Sequence, residues 1–209
     1  MVCHAGTQVG TIVTALESQG WIAIDDFLDE AQWRPLATRA RSIRDYRHAG
    51  VGRGDQLRLT PAIRRDRIYW LDDSETADRH WLALMEQLRL RINRELYLGL
   101  FEYESHFAYY PPGAYYRRHL DAFKGQGNRR VSTVLYLNDG WQPAHGGELM
   151  LYPADRPDGV SIPPRAGTLV VFLSEDMPHE VLETQRERYS IAGWFRVNGS
   201  DSVRLDTAL

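Results

Sequence analysis

Apolar residues recur at helical spacing in three stretches of the first half of the chain and at alternate positions in the second half. From Thr7 to Gly20, the residues Val9, Ile12, Val13 and Leu16 fall on one face of a helix, and Gly20 is a natural stop. Trp21-Ile-Ala-Ile24 reads as a short strand. Asp29 is then an N-cap for a helix over Ala31 to His48, whose buried face would be Trp33, Leu36, Ala37, Ala40 and Ile43. Pro35 falls early enough in that helix to be tolerated. Gly50-Val-Gly-Arg-Gly54 reads as a loop, and Arg67-Ile-Tyr-Trp-Leu71 as a strand. Asp72-Asp-Ser-Glu75 would cap a third helix running to about Leu98, with Leu82, Met85, Leu88, Leu90, Ile92 and Leu96 on its apolar face and Gly99 as its C′ residue.

From Phe101 the period changes. Phe101 to Tyr110 and Tyr115 to Leu120 are aromatic-rich and extended, split by Pro111-Pro112-Gly113. Val131 to Leu137 alternates and runs into an Asn138-Asp139-Gly140 turn. Gly147 to Tyr152, Gly167 to Leu173, His179 to Glu183 and Tyr189 to Val197 are further strands. Many short strands punctuated by Gly and Pro predict a sandwich or barrel. The expected fold is mainly β with α. A double-stranded β-helix, or jelly roll, would fill 101–199, and 1–100 would supply helical support and a lid loop, all in one domain spanning 1–209.

Composition narrows the class without naming a function. The chain has 209 residues, 43% hydrophobic and 25% charged, which suits an ordinary globular core. No apolar run approaches the ~18 residues of a membrane span, and Met1 to Gly20 does not read as a secretory signal. Cys3 is the only cysteine, so a disulfide within the chain and a cysteine-rich zinc module are both excluded. A reducing, cytoplasmic setting is the expectation, with no membrane or nucleic-acid partner. Net charge is −3, yet Arg34, Arg39, Arg41, Arg44, Arg47, Arg53, Arg58, Arg64, Arg65 and Arg67 crowd one third of the chain. They follow no single helical stripe and read as a solvated helix face and charged loop rather than as a basic rim for an acidic partner.

The candidate chemistry lies between Tyr110 and Trp194. On a strand, His119 and Asp121 would project from one face, so an imidazole nitrogen and a carboxylate oxygen could converge on one ion. His179, much later, could return on an opposing strand. Two histidines and one carboxylate suit Fe(II) and leave about three positions of an octahedral ion open. Zinc would accept the same ligands, usually for hydrolysis. Arg188 favours iron: on a neighbouring strand it could look into the same interior, and a buried arginine needs an anion, gripped by its planar fork. Arg186 sits in the preceding turn and is expected to be exposed.

These residues resemble the iron(II)/2-oxoglutarate dioxygenase superfamily, and within it the prolyl hydroxylase branch of oxygen sensors and their bacterial relatives. The similarity runs from about Gly50 to Val197. It is carried by Arg64-Arg-Asp-Arg-Ile-Tyr-Trp70, Tyr110-Pro-Pro-Gly-Ala-Tyr-Tyr-Arg-Arg-His-Leu-Asp121, Tyr136-Leu-Asn138, Gly146-Gly-Glu-Leu149, Pro178-His-Glu-Val181 and Arg188-Tyr-Ser-Ile-Ala-Gly-Trp194. The resemblance implies that His119, Asp121 and His179 hold Fe(II). It implies that 2-oxoglutarate and O2 are cosubstrates, with ascorbate as a possible reductant. Arg188 would bind the far carboxylate of 2-oxoglutarate, helped by Tyr136, with Tyr110 or its neighbour Tyr109 lining the pocket and Trp194 forming its floor. Arg64, Asp66 and Arg129 would lie at the substrate entrance. Ala192 departs from the oxygen sensors, which carry a hydroxyl side chain there.

The resemblance implies hydroxylation of a prolyl residue in a peptide or protein, with 2-oxoglutarate converted to succinate and CO2. Hydroxylation of a free amino acid or other small molecule is the alternative within the superfamily, and a non-catalytic jelly-roll binding module is the alternative of another class. The Arg-rich loop before Trp70 favours a peptide. Asp121 argues against halogenation, where that carboxylate is lost. Trp194 stands six residues past Arg188, where nucleic-acid demethylases of the superfamily carry a second arginine.

Overall fold

In a computed structural model, residues 3–49, 62–122, 127–198, 200–201 and 204–205 are described. The Gly50–Gly54 loop, Arg53 and Arg58 lie outside them. Helix α1 (Cys3–Gln19) is followed by strand β1 (Trp21–Ile24) and helix α2 (Glu30–Ser42). Asp29 caps α2 as its sequence predicts: its carboxylate accepts from the Gln32 amide at 3.0 Å, and the Gln32 side chain accepts from the Asp29 amide at 3.1 Å. The helix stops at Ser42 and does not reach His48. Ile43 turns extended (φ −67°, ψ 125°), which releases β2 (Arg47–His48) to pair antiparallel with β3 (Arg67–Trp70).

Helix α3 (Thr76–Leu96) differs from expectation at both ends. Glu75 makes no side-chain cap, and Asp72 instead accepts from the Ser74 amide and hydroxyl. Tyr97, not Gly99, takes the left-handed position that ends the helix (φ 53°). Asn93 fixes the exit by hydrogen-bonding both the N–H and the C=O of Leu100, each at 2.7 Å. Leu90 is 51% exposed and does not join the apolar face; Met85, Leu88 and Ile92 do, with Trp81.

The remaining strands are β4 (Leu100–Tyr110), β5 (Tyr116–His119), β6 (Arg129–Tyr136), β7 (Leu149–Leu151), β8 (Val160–Ile162), β9 (Leu169–Leu173), β10 (His179–Val181), β11 (Arg188–Val197) and a separate pair, β12 (Ser200–Asp201) with β13 (Arg204–Leu205). Strand β8, only three residues between turns, was not expected; it is too short to show alternation. Two antiparallel sheets face each other, with orders β1-β9-β6-β11-β4-β3-β2 and β5-β10-β7-β8. This is the expected double-stranded β-helix with helices on one side. One face of the larger sheet, through Phe107, Val131, Leu135, Val171, Ile191 and Phe195, packs on α1, α2 and α3. Its other face, through Ala108, Tyr110, Tyr136, Val170 and Phe172, meets Leu149, Leu151, Ile162 and Val181 of the smaller sheet. Pleating therefore sends alternate residues of β4, β6, β9 and β11 into the space between the sheets.

Close approach explains Gly193. A Cβ there would run into the Tyr103 ring, which crosses it to hydrogen-bond Thr133 at 2.8 Å. Gly193→Ala is therefore expected to destabilise the fold by about 1–3 kcal/mol through overpacking, read as a lower denaturant midpoint with an unchanged slope.

Asp78 is fully buried at the start of α3, its carboxylate oxygens without hydrogen bonds among the described residues and Arg39 Nε 3.8 Å away. Burial pushes its pKa up to about 6, only partly offset by Arg39. The folded state thus holds a proton that the unfolded chain releases, and this contribution to stability is lost as pH rises from about 4 through 6. Asp78→Asn should flatten the dependence of unfolding free energy on pH in that window, a difference on the order of 1–2 kcal/mol.

Candidate active site

Strands β5 and β10 are neighbours in the smaller sheet, and His119 and His179 are cross-strand partners, with ring centroids 4.2 Å apart. Each imidazole is fixed by its own backbone: His119 Nδ1 lies 2.8 Å from the Arg117 carbonyl, and His179 Nδ1 lies 2.9 Å from the Met177 carbonyl. A carbonyl only accepts, so the proton belongs on Nδ1 and both Nε2 lone pairs are free to bind a metal. Burial lowers the pKa of His179, which keeps that lone pair available near neutral pH.

Asp121 completes the group by a route that differs from expectation. Strand β5 ends at His119, and Asp121 lies in the bend beyond it rather than two residues along the same strand. Its Oδ1 is 3.6 Å from His119 Nε2 and its Oδ2 is 3.7 Å from His179 Nε2. Two ligands of one ion at about 2.1 Å can stand no further apart than about 4.2 Å, so the Oδ1 contact fits an ion shared with His119, and the Oδ2 contact sets the same carboxylate beside His179. The three residues form the only such cluster of metal-ligating side chains among the described residues, their donor atoms within 4.8 Å of one another. Burial alone would raise the Asp121 carboxyl. His179, His119 and the Ser132 hydroxyl outweigh it and hold Asp121 well below the usual carboxylate range.

At the start of β11, Arg188 is 1% exposed. Its Nε donates to the Gly147 carbonyl at 2.9 Å and its Nη1 reaches the Ser190 hydroxyl at 3.4 Å. The guanidinium lies over the rings of Tyr110 and Tyr136, at 4.8 and 5.1 Å. No acidic residue among those described pairs with it. Gly147 makes room: a Cβ there would meet the Thr184 side chain at 3.0 Å and Arg188 Cδ at 3.2 Å. Tyr136 is fully buried, and its hydroxyl finds no hydrogen-bond partner of good geometry among the described residues. Burial pushes that phenol up to about 12 even with Arg188 pulling the other way, so it stays a proton donor. A buried cation without an acid and a buried hydroxyl without a partner face the same interior, where an anion would satisfy both. Arg186 reaches the Gly140 carbonyl at 3.3 Å from outside the site.

The pleat turns Tyr110 and Tyr109 to opposite sides of the larger sheet. Tyr110 pairs with Arg188 and faces the space between the sheets. Tyr109 points to the helical side, stacks on Tyr189 at 5.0 Å and donates to Glu187 at 2.9 Å. Trp194 lies on the same inward row of β11 as Arg188, Ser190 and Ala192. Arg129 stands over its ring at 3.6 Å and is held by Glu104 at 2.8 and 3.0 Å.

Arg64 and Asp66 form a largely buried ion pair. Asp66 is buried and binds Arg64 through two hydrogen bonds of 2.7 and 2.5 Å. Arg64 covers Tyr116 at 4.3 Å, and Tyr116 stacks on His119 at 3.6 Å with a 16° tilt. The pair therefore backs one metal-ligand candidate through an aromatic layer.

Sequence reasoning passed over Ser132, Ser174, Ser190 and His106. Ser132 donates to Asp121 at 2.7 Å. His106 is buried between Trp70 and Trp194, and burial lowers its pKa to about 4. Ser190, His106 and Ser132 could have been found by counting alternate residues back from Trp194, Tyr110 and Tyr136; Ser174, past the end of its strand, carries no such signal.

Two opposed sheets with a His-Asp-His cluster at one point and, at another, a buried arginine with no acid beside it among the described residues define a metal-dependent oxygenase of the jelly-roll class. The profile of the 2OG-Fe(II) oxygenase superfamily matches residues 105–196. A Pseudomonas putida prolyl-4-hydroxylase of known structure is 46% identical, superposes with a TM-score of 0.84, and is aligned over 90% of this chain and 99% of that one. A Trichoplax adhaerens prolyl hydroxylase, solved with a peptide of the hypoxia inducible factor oxygen degradation domain, is 26% identical with a TM-score of 0.81, over 92% and 90% of the two chains. A hypoxia-inducible factor prolyl hydroxylase of Caenorhabditis elegans is 28% identical over 95% of this chain, which spans only 29% of the length of that protein. The chain belongs to the 2OG-Fe(II) oxygenase superfamily, whose members use Fe(II), 2-oxoglutarate and O2.

Proposed function

We propose that the protein hydroxylates a prolyl residue in a peptide or protein, as one catalytic domain, with His119, Asp121 and His179 holding Fe(II). The observation that carries the chemistry is the facing pair of Arg188, with no acid beside it among the described residues, and the buried Tyr136 hydroxyl, which has no well-formed hydrogen bond among them, on the sheet opposite the two histidines. Prolyl specificity draws its support from the similarity to the Pseudomonas putida prolyl-4-hydroxylase across nearly the whole length of both chains.

When bound, iron and 2-oxoglutarate supply the oxidising chemistry: dioxygen is divided between the keto acid, which leaves as succinate and CO2, and a substrate C–H bond, which becomes C–OH. The chain positions and shields. Arg188 and Tyr136 hold the far carboxylate of the cosubstrate, the first with charge and a planar fork, the second by donating its phenolic proton. Tyr110 closes the pocket wall beneath the guanidinium. Trp194, with Arg129 and Glu104 at its edge, forms the floor on which a proline ring packs and from which water is excluded. Arg64 and Asp66 keep Tyr116 against His119 and shape the entrance beside it. We place the protein in the cytoplasm, in keeping with its lone Cys3, with ascorbate as the reductant that keeps iron ferrous.

Incubating the protein with Fe(II), 2-oxoglutarate and proline-containing peptides should give succinate and a mass gain of one oxygen on proline; turnover of free amino acids with no peptide product would reassign the substrate. His119→Ala and Asp121→Ala should each abolish both products, and full iron-dependent turnover in either would remove the site assignment.

Arg188→Ala should raise the 2-oxoglutarate KM by about 10- to 100-fold, the loss expected for charge-assisted hydrogen bonds to a carboxylate. An unchanged KM would move the clamp to another residue.

A further inference from the structure

Asp121 is not alone at its end of the site. Ser132, on β6, sits on the inward row shared with Trp194 and Phe172. Its hydroxyl lies 2.7 Å from Asp121 Oδ2 and 2.9 Å from the hydroxyl of Ser174, just past the end of β9. Both serines are buried, and the Ser174 amide is tied to the Arg130 carbonyl at 3.0 Å.

Proton counting fixes the direction of this chain. An ionised carboxylate only accepts, so the single proton of Ser132 points at Asp121. The Ser132 oxygen must then accept from Ser174, which spends its own proton there. The relay runs one way, from Ser174 through Ser132 to Oδ2, and leaves Oδ1 as the oxygen of Asp121 with no hydrogen bond to either serine.

We propose that Ser132 is a positioning residue that, oriented by Ser174, engages one oxygen of Asp121 and so restricts the carboxylate to a single metal bond through the other. This rests on the metal-site reading given above. The consequence is specific: a carboxylate gripping the ion with both oxygens would occupy a position that the cosubstrate or dioxygen requires. A hydrogen bond to one oxygen also fixes the rotation of the carboxylate before the metal arrives, so less freedom is lost on binding.

Mn(II) titration of the metal-free protein, followed by the loss of the free-ion signal in electron paramagnetic resonance, tests this without turnover. Ser132→Ala should weaken Mn(II) binding by about 10- to 100-fold, with thermal unfolding of the metal-free protein within a few degrees of wild type. Ser132→Thr, which keeps the hydroxyl, should restore most of the affinity. Ser174→Ala, which touches no metal ligand, should weaken binding by a smaller factor, about two- to fivefold. His179→Ala is the control for the site itself. Wild-type affinity in Ser132→Ala together with lost affinity in His179→Ala would overturn the relay and leave the metal site standing. Wild-type affinity in His179→Ala would remove the site on which the relay rests. If Ser132→Ala does not fold, Ser174→Ala decides: reduced affinity supports the relay, and unchanged affinity overturns it.

Discussion

The antiparallel pairing of β5 with β10 is the constraint on which the site depends. It puts His119 and His179 directly opposite each other on the smaller sheet, whose inner face meets the larger one. Each ring is locked by the carbonyl two residues before it, so the register fixes position, tautomer and lone-pair direction together. Outside the ligands, Tyr116 and Arg64 press on His119 from one side and Phe172 lies 4.7 Å from His179 on the other. Both rings are thus held by a backbone hydrogen bond and an aromatic neighbour. The larger sheet supplies what the smaller one lacks, a buried cation at Arg188 and a hydrogen-bond donor for Asp121 at Ser132.

Burying Arg188 without an acidic partner is unfavourable in isolation. Part of the cost is met by the Gly147 carbonyl, the Ser190 hydroxyl and the faces of Tyr110 and Tyr136. The remainder is an unsatisfied demand for negative charge, which a dicarboxylate can meet on entering. The helices contribute at a distance: α1, α2 and α3 cover the far face of the larger sheet and keep β4, β6 and β11 in register, and register alone decides that Tyr110 and not Tyr109 faces inward.

Much of this was legible in the sequence, and unevenly. His119, Asp121, His179 and Arg188 stand out because few structural roles call for those residue types at those places. The jelly roll followed from short alternating segments between Gly and Pro. What stayed hidden depends on tertiary contact. Ser132 and Ser174 are ordinary strand and turn residues until the bend at Asp121 brings a carboxylate within 2.7 Å. Arg64 and Asp66 were read only as residues of the entrance, because nothing local announces that Tyr116 and Arg64 stack behind His119. The end of α2 was overrun because Arg44 and Arg47 are good helix formers, and only pairing with β3 pulls that segment into an extended form. Strand β8 carries too few residues for a period to be visible.

The most direct test of the account is to follow both atoms of dioxygen. With 18O2, Fe(II), 2-oxoglutarate and a proline-containing peptide, one labelled atom should appear in the new hydroxyl group and one in succinate, in equal amounts. Label in succinate with an unmodified peptide, or a hydroxyl oxygen drawn from solvent water, would contradict it.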